Sequence, residues 1–433
     1  MTSLLSKRRT RVPQSRLARL LTATVLLVVS FAGSLAPNAV AEPLKLGLMM
    51  NFSRNAPGRA VERRRAFELA IKHINAAGGV LGQPVRPTVA DSTRSPSGAV
   101  AAARRLVHTA GVHAIVGPSS SAMALAVAEQ VTGPAGVPTI SPSATSPKLT
   151  TATDSDYLFR TALSDIAQGP VLARVTRERG FRNVGLLYRD DAWGQGLAGT
   201  FTAAWDGTVT AVAFEPRQTG FSAELRRSTA AGAQALVVVA DEQETIALLR
   251  DAVELGLYRH FTFGDASKSP NVAREVGAER LHGMYGTAGA AVPDSPVSAA
   301  WRAAYVAEYG GPPAFTYVPQ TYDATIALAL AAQAAGSTRG EAIRDRLRAV
   351  GSAPGLSANA GPEGVAAALR ILAAGGEIDY QGAAVTLDWD RHGDLRRGHI
   401  RIWRFTRDGG TEDLETVPFI YEADPPKPGA ADR

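Results

Sequence analysis

From Leu44 onward, apolar runs short enough for strands alternate with stretches of helical periodicity, and after Thr161 the alternation starts over. Leu44-Met50 reads as a strand. Phe67, Ala70, Ile71 and Ile74 then share one face of a helix that stops at Asn75 and Gly78-Gly79. Strands Val85-Asp91, Ala114-Val116 and Val137-Ile140 follow, with helices over Ser97-Thr109 and Ala122-Val131 between them. The second series has strands Val184-Tyr188, Val209-Phe214, Ala235-Val239 and Phe261-Phe263, spaced by helices Gly194-Ala204, Phe221-Ala230 and Glu242-Leu255. Repeated β-α-β units of this kind make parallel sheets covered by helices on both faces. Beyond Ser295 the pattern is helical over Ser298-Tyr309, Gln320-Ala335, Glu341-Ala349 and Glu363-Ala374. It closes with β-like runs Ala384-Leu387 and His399-Phe405 around the turn Asp390-Asp394. The expectation is an α/β chain too long for one core and divided into two lobes.

Two strand ends open onto serine-rich turns. Gly117-Pro118-Ser119-Ser120-Ser121 follows Ala114-Val116, and Ser141-Pro142-Ser143-Ala144-Thr145-Ser146-Pro147 follows Val137-Ile140. Free backbone N–H groups backed by hydroxyls suit a carboxylate. At successive strand ends of a parallel sheet they belong to one crevice. Serines before a helix also serve as plain caps, so alone the turns mark a cleft rather than a ligand.

Residues 1–41 read as an export signal: Lys7, Arg8, Arg9, Arg11, Arg16 and Arg19 precede a mostly apolar Leu20-Leu35, and Ala39-Val40-Ala41 offers small residues for cleavage after Ala41. The whole surplus of the net charge of +6 lies in this segment, which has no acidic residue, so the remainder is formally neutral. That balance gives no ground for a nucleic-acid or anionic-membrane partner. The absence of cysteine excludes disulfides, thiolate metal sites and a thiol nucleophile. A periplasmic, monomeric product is expected, with a disordered tail over 422–433.

The seven histidines are scattered without HExxH spacing, and Gly-x-Ser-x-Gly is missing. No metal, cofactor or enzymatic activity is expected. Gly194-Gln195-Gly196-Leu197-Ala198-Gly199 is a literal GxGxxG, but Arg189-Asp190-Asp191-Ala192-Trp193 separates it from the strand end, and two aspartates there would repel a pyrophosphate.

With that loop added, the chain resembles the branched-chain amino-acid-binding (Leu/Ile/Val-binding) family, the type I periplasmic solute-binding components of ABC importers. The resemblance covers about Leu44 to Phe405. It rests on Asn75-Ala76-Ala77-Gly78-Gly79, Val116-Gly117-Pro118 with its serines, Gly136-Val137-Pro138 leading into Ser141-Thr145, Trp193-Gly194-Gln195-Gly196, and Tyr322-Asp323. Ile378-Gly382, followed by Asp388 and Gly393-Asp394, looks like the family's last crossover. The resemblance implies two Rossmann-like lobes joined by a three-crossover hinge. Residues 42–162 and 288–380 would form lobe 1, and 163–287 and 381–421 lobe 2.

It also implies a site. Ser121, with Ser120 as near alternative, the backbone of Ser143, and Thr145 would hold a ligand carboxylate; Trp193 would cover apolar surface, and Asp265 would meet the ammonium. Two positions depart from the family: Asp241 stands where many relatives have tyrosine, and Arg59 where the ligand side chain is usually touched. Either one faces the pocket, or Asp241 caps the helix from Glu242 and Arg59 belongs to a solvated run with Arg63-Arg64-Arg65. The implied function is a periplasmic receptor that delivers an amino acid or related solute to an ABC permease. A sensor on the same scaffold is the alternative, followed by an exported α/β enzyme.

Overall fold

The computed structural model describes residues 41–52 and 57–421, besides the single Thr2. The export signal expected over 1–41 lies almost wholly outside these residues, and the expected disordered tail lies entirely outside them. Strands β1 (Lys45–Met50), β2 (Arg86–Asp91), β3 (Ala114–Val116), β4 (Thr139–Ser141) and β5 (Leu158–Arg160) form one parallel sheet in the order β2-β1-β3-β4-β5. Next come β6 (Asn183–Arg189), β7 (Thr208–Phe214), β8 (Ala235–Val239), β9 (Phe261–Phe263) and β10 (Tyr285–Ala290). β11 (Leu356–Asn359) and β12 (Ile378–Gln381) pair with each other, and β13 (Arg397–Phe405) and β14 (Thr411–Ile420) close the chain. The second sheet runs β14-β13-β10-β9-β8-β6-β7, with only β13 and β14 antiparallel to their neighbours. Each sheet with its helices is a Rossmann-like lobe, and both belong to one unit from Pro43 onward.

Position in the sheet explains strand composition. β8 is apolar throughout and fully buried, as a central parallel strand covered on both faces must be, whereas the edge strand β2 alternates exposed and half-buried residues. The helix Pro57–Ala76 ends where Asn75 clasps the approach to β2: its Oδ1 accepts from the Val85 N–H at 2.7 Å, and its Nδ2 donates to the Val85 carbonyl at 3.2 Å. The alanine-rich helix Val318–Ala335 packs on it, with the Tyr322 hydroxyl 2.8 Å from His73 Nδ1.

The chain passes between the lobes three times: from β5 into the helix Asp165–Arg177, from β10 into the helix Pro296–Tyr309, and from β12 to β13. The last passage corrects the expected strand Ala384-Leu387. Ala384, Val385 and Leu387 are buried, but the run makes only a single bridge, Gln381 with Thr386, because the N–H groups at its start are taken by Asp323. That carboxylate accepts from the N–H groups of Ala383, Ala384 and Val385 at 2.7, 2.8 and 3.4 Å. The closing hairpin is instead β13–β14. The expected helices Ser97-Thr109 and Ala122-Val131 both open into a wider π-helical turn, at Arg105–Ala110 and Ala128–Thr132.

Candidate functional site

The serine turns lie at the ends of β3 and β4. Gly117 has φ +104°, and a Cβ there would come within 2.1 Å of the Met49 carbonyl, so the tight turn out of β3 requires glycine. The two turns are tied together: the Ser141 hydroxyl donates to the Pro118 carbonyl at 2.6 Å, and the Ser143 hydroxyl to the Ser119 carbonyl at 3.0 Å. Ser121 is buried, and its Oγ accepts from the Ser146 N–H at 3.2 Å, which leaves its own proton to donate. Ser119, Ser120, Ser121 and Ser143 line one cavity. Thr145 does not line it. Its hydroxyl lies behind the wall and donates to Asp165 Oδ2 at 2.9 Å.

The opposite wall comes from the ends of β6, β8 and β9 and brings Trp193, Asp241 and Asp265 into the same cavity. The helix carrying Trp193 begins at Ala192, earlier than expected, because Asp191 caps it: Oδ1 accepts from the N–H groups of Trp193 and Gly194, both at 3.0 Å. Those N–H groups are therefore occupied. The first two glycines of the GxGxxG run serve packing, whereas Gly199 has open space around it. A Cβ on Gly194 would come within 2.0 Å of the Arg189 carbonyl, and one on Gly196 within 2.7 Å of Pro147 on the facing lobe.

Asp241 is both helix cap and pocket residue. Its backbone N–H donates to Glu244 at 3.1 Å, while its carboxylate is paired with Arg189. Arg189 also meets Asp191 at 2.8 Å and Glu244 at 3.4 Å. Burial opposes its charge, but Asp241, Glu244 and Asp191 outweigh burial and hold the guanidinium above its ordinary value.

Asp265 is 5% exposed, accepts from the Tyr317 hydroxyl at 2.9 Å, and lies 3.5 Å from the Gln168 amide nitrogen. Burial raises its pKa, against the Tyr317 hydrogen bond and the charge of Arg59. Tyr317 reaches it from a left-handed backbone, φ +66°, which is rare for a bulky side chain. Glu62 fixes that loop by accepting from the N–H groups of Ala314 and Phe315 at 3.0 Å.

Arg59 lines the cavity and spans the lobes, donating to the Ala266 carbonyl at 2.9 Å and lying 4.0 Å from Glu242. The solvated run divides. Arg64 is exposed and paired with Glu68, whereas Arg63 is 5% exposed and lines the cavity. One helical turn separates Arg59 from Arg63, so if the former faces the cleft the latter does too. Arg63, Tyr317, Arg189 and Asp191 were not singled out from sequence; the i, i+4 spacing was the available signal for Arg63. Among the described residues no group of three or more His, Cys, Asp or Glu is arranged to hold a metal, and no helix is long and apolar enough to cross a membrane.

The sequence pattern of the family described as periplasmic binding protein matches residues 43–384. A leucine-, isoleucine-, valine-, threonine- and alanine-binding protein of Pseudomonas aeruginosa is 27% identical over 339 residues, 77% of this chain and 88% of that one. A substrate-binding protein of a chemotactic signal transduction system, BasB of Halobacterium salinarum, is 26% identical over 410 residues, 88% of this chain and 92% of that one. Among solved structures, the isoleucine complex of the branched-chain amino acid transporter substrate-binding protein LivJ from Streptococcus pneumoniae superposes with a TM-score of 0.70. It is 24% identical, and the match covers 87% of this chain and 100% of that one. At that identity the likeness carries the fold.

Proposed function

The chain belongs to the periplasmic binding protein family, and from that premise we propose that it is the solute receptor of an ABC importer, closing on an amino acid or related small carboxylate and performing no chemistry on it. The observation that carries this reading is convergence. Serines from the first lobe and Trp193, Asp241 and Asp265 from the second line one cavity in the cleft. Hydroxyls suit a carboxylate, a carboxylate suits an ammonium, and an indole covers apolar surface. With the two halves on different lobes, binding free energy favours the closed state. The hinge of this clamp consists of the passages near 162, 287 and 380, with the lobes divided as the resemblance implies. Residues 1–41 direct export to the periplasm, where the receptor acts as a monomer and meets its permease.

The kinship with BasB supports a second reading, in which the same clamp reports its solute to a sensory partner. Mass spectrometry of the small molecule that co-purifies, followed by calorimetry with it, tests the binding function. Reversible one-to-one binding with the solute recovered unchanged is expected, and catalytic conversion would overturn it. Loss of solute uptake on deleting the gene supports transport; intact uptake with lost chemotaxis supports sensing.

A further inference from the structure

The charges lining the cavity are unevenly matched. Every acidic side chain on the second-lobe wall has a partner in the protein: Asp191, Asp241 and Glu244 meet Arg189; Glu242 accepts from Asn271 at 3.0 Å; Asp265 accepts from Tyr317. The first-lobe wall contributes Arg59, Arg63 and Arg94 and, among the described residues, no carboxylate. Arg59 has Glu242 at 4.0 Å and the Ala266 carbonyl. Arg94 makes no hydrogen bond or ion pair with the described residues.

Arg63 is the decisive group. Among the described residues its guanidinium donates only to the Thr316 carbonyl, at 3.3 and 3.2 Å, lies 5.6 Å from the Tyr317 ring centre, and has no carboxylate within ion-pairing distance. A charge buried this deeply is costly unless an anion reaches it. Burial first, then repulsion from Arg59, pull its pKa down to about 9, against Tyr317, Asp265 and Asp241, so it is still a cation at neutral pH.

We propose that Arg63, flanked by Arg59, binds a second carboxylate on the solute, so that the ligand is an acidic amino acid of the glutamate or aspartate type. This rests on the amino-acid receptor reading above and narrows it. The serine turns take the α-carboxylate, Asp265 faces the ammonium, and the guanidinium fork of Arg63 takes the side-chain carboxylate. A branched-chain ligand would leave that cation buried and unmatched.

The test is calorimetry on purified protein freed of bound solute, with glutamate, aspartate, glutamine, asparagine, leucine and isoleucine. One of the acids should bind at least about thirtyfold more tightly than its amide, the scale set by a buried charge pair. Arg63→Met should abolish that preference, bringing acid and amide to within about threefold of one another, and Arg63→Lys should keep part of it. The wild-type comparison decides the matter even where a variant fails to fold. An amide equal to its acid, or leucine or isoleucine binding more tightly than both acids, overturns this inference and leaves the receptor reading standing. Binding of none of the six overturns the amino-acid reading along with it.

Discussion

Ser121 and Thr145 have parallel roles in the implied site, but the structure separates them. Ser121 Oγ has an N–H behind it and the cavity before it, so Ser121→Ala should cost about 1–3 kcal/mol of binding, the worth of a hydrogen bond to a charged group. Thr145 donates to the Oδ2 of a fully buried Asp165, whose Oδ1 has no partner among the described residues and whose pKa is held well above the ordinary value by burial and by Asp265. Thr145→Ala should therefore cost about 1–3 kcal/mol of stability and change affinity less than threefold. Urea denaturation beside calorimetry checks both variants; Thr145→Ala weakening binding as strongly as Ser121→Ala would place its hydroxyl in the cleft. Seven of the eight candidate site residues, all but Thr145, line one cavity, because strand-end turns in a parallel sheet must face the crevice. Arg63 was hidden by its neighbours. Three consecutive arginines read as solvated, yet a helix turns 100° per residue and sends one inward while Arg64 pairs with Glu68 in solvent.

The crossovers are the elements on which a clamp depends, and buried polar clasps hold them. Arg160 at the end of β5 forms a two-pronged pair with Asp394, at 2.5 and 2.6 Å, tying the first passage to the third. Truncating the carboxylate leaves that cation buried and alone, so Asp394→Ala should cost about 3–5 kcal/mol in denaturant titration. Asp323 carries a pH signature. Burial, against four hydrogen-bond donors, raises its pKa to about 7 from an ordinary 3.8. Between those values the folded state holds more protons than the unfolded one, so its contribution is full below about pH 4 and is lost as pH rises through 7. The stability advantage of wild type over Asp323→Asn should therefore shrink from pH 5 to pH 8. An advantage that grows with pH would show that the N–H donors outweigh burial. Sequence showed the interior of the fold better than its margins. β3, β8 and β9 match the expected runs residue for residue, since buried parallel strands are short and apolar. β14 was missed because it is an edge strand whose Glu412 and Asp413 pair across to Arg404 and Arg401, giving a polar pattern that resembles a loop.

At the scale of the molecule, the lobes touch around the cavity through few contacts. The Ser146 hydroxyl donates to the Ala192 carbonyl at 2.6 Å, the exposed Lys148 ammonium to Gln195 Oε1 at 2.6 Å, Arg59 to the Ala266 carbonyl at 2.9 Å, and Tyr317 to Asp265 at 2.9 Å. Such bonds contribute about 1 kcal/mol net where both groups are neutral and about 1–3 kcal/mol where one is charged, so together they offset only part of what an open, hydrated cleft gains in water contacts and freedom. The ligand-free protein should therefore open, and solution scattering should show the radius of gyration falling when the solute is added, with a change in fluorescence from the nearly buried Trp193. Tyr317→Phe separates closure from recognition. It keeps the ring beside Arg63 and deletes the hydroxyl that joins the lobes through Asp265, so affinity should drop about fivefold while the ligand-saturated radius stays that of wild type. A radius unchanged by saturating solute would sink the clamp itself. Unchanged affinity in the phenylalanine variant would mean that Asp265 meets the ligand without any contribution from Tyr317 to closure.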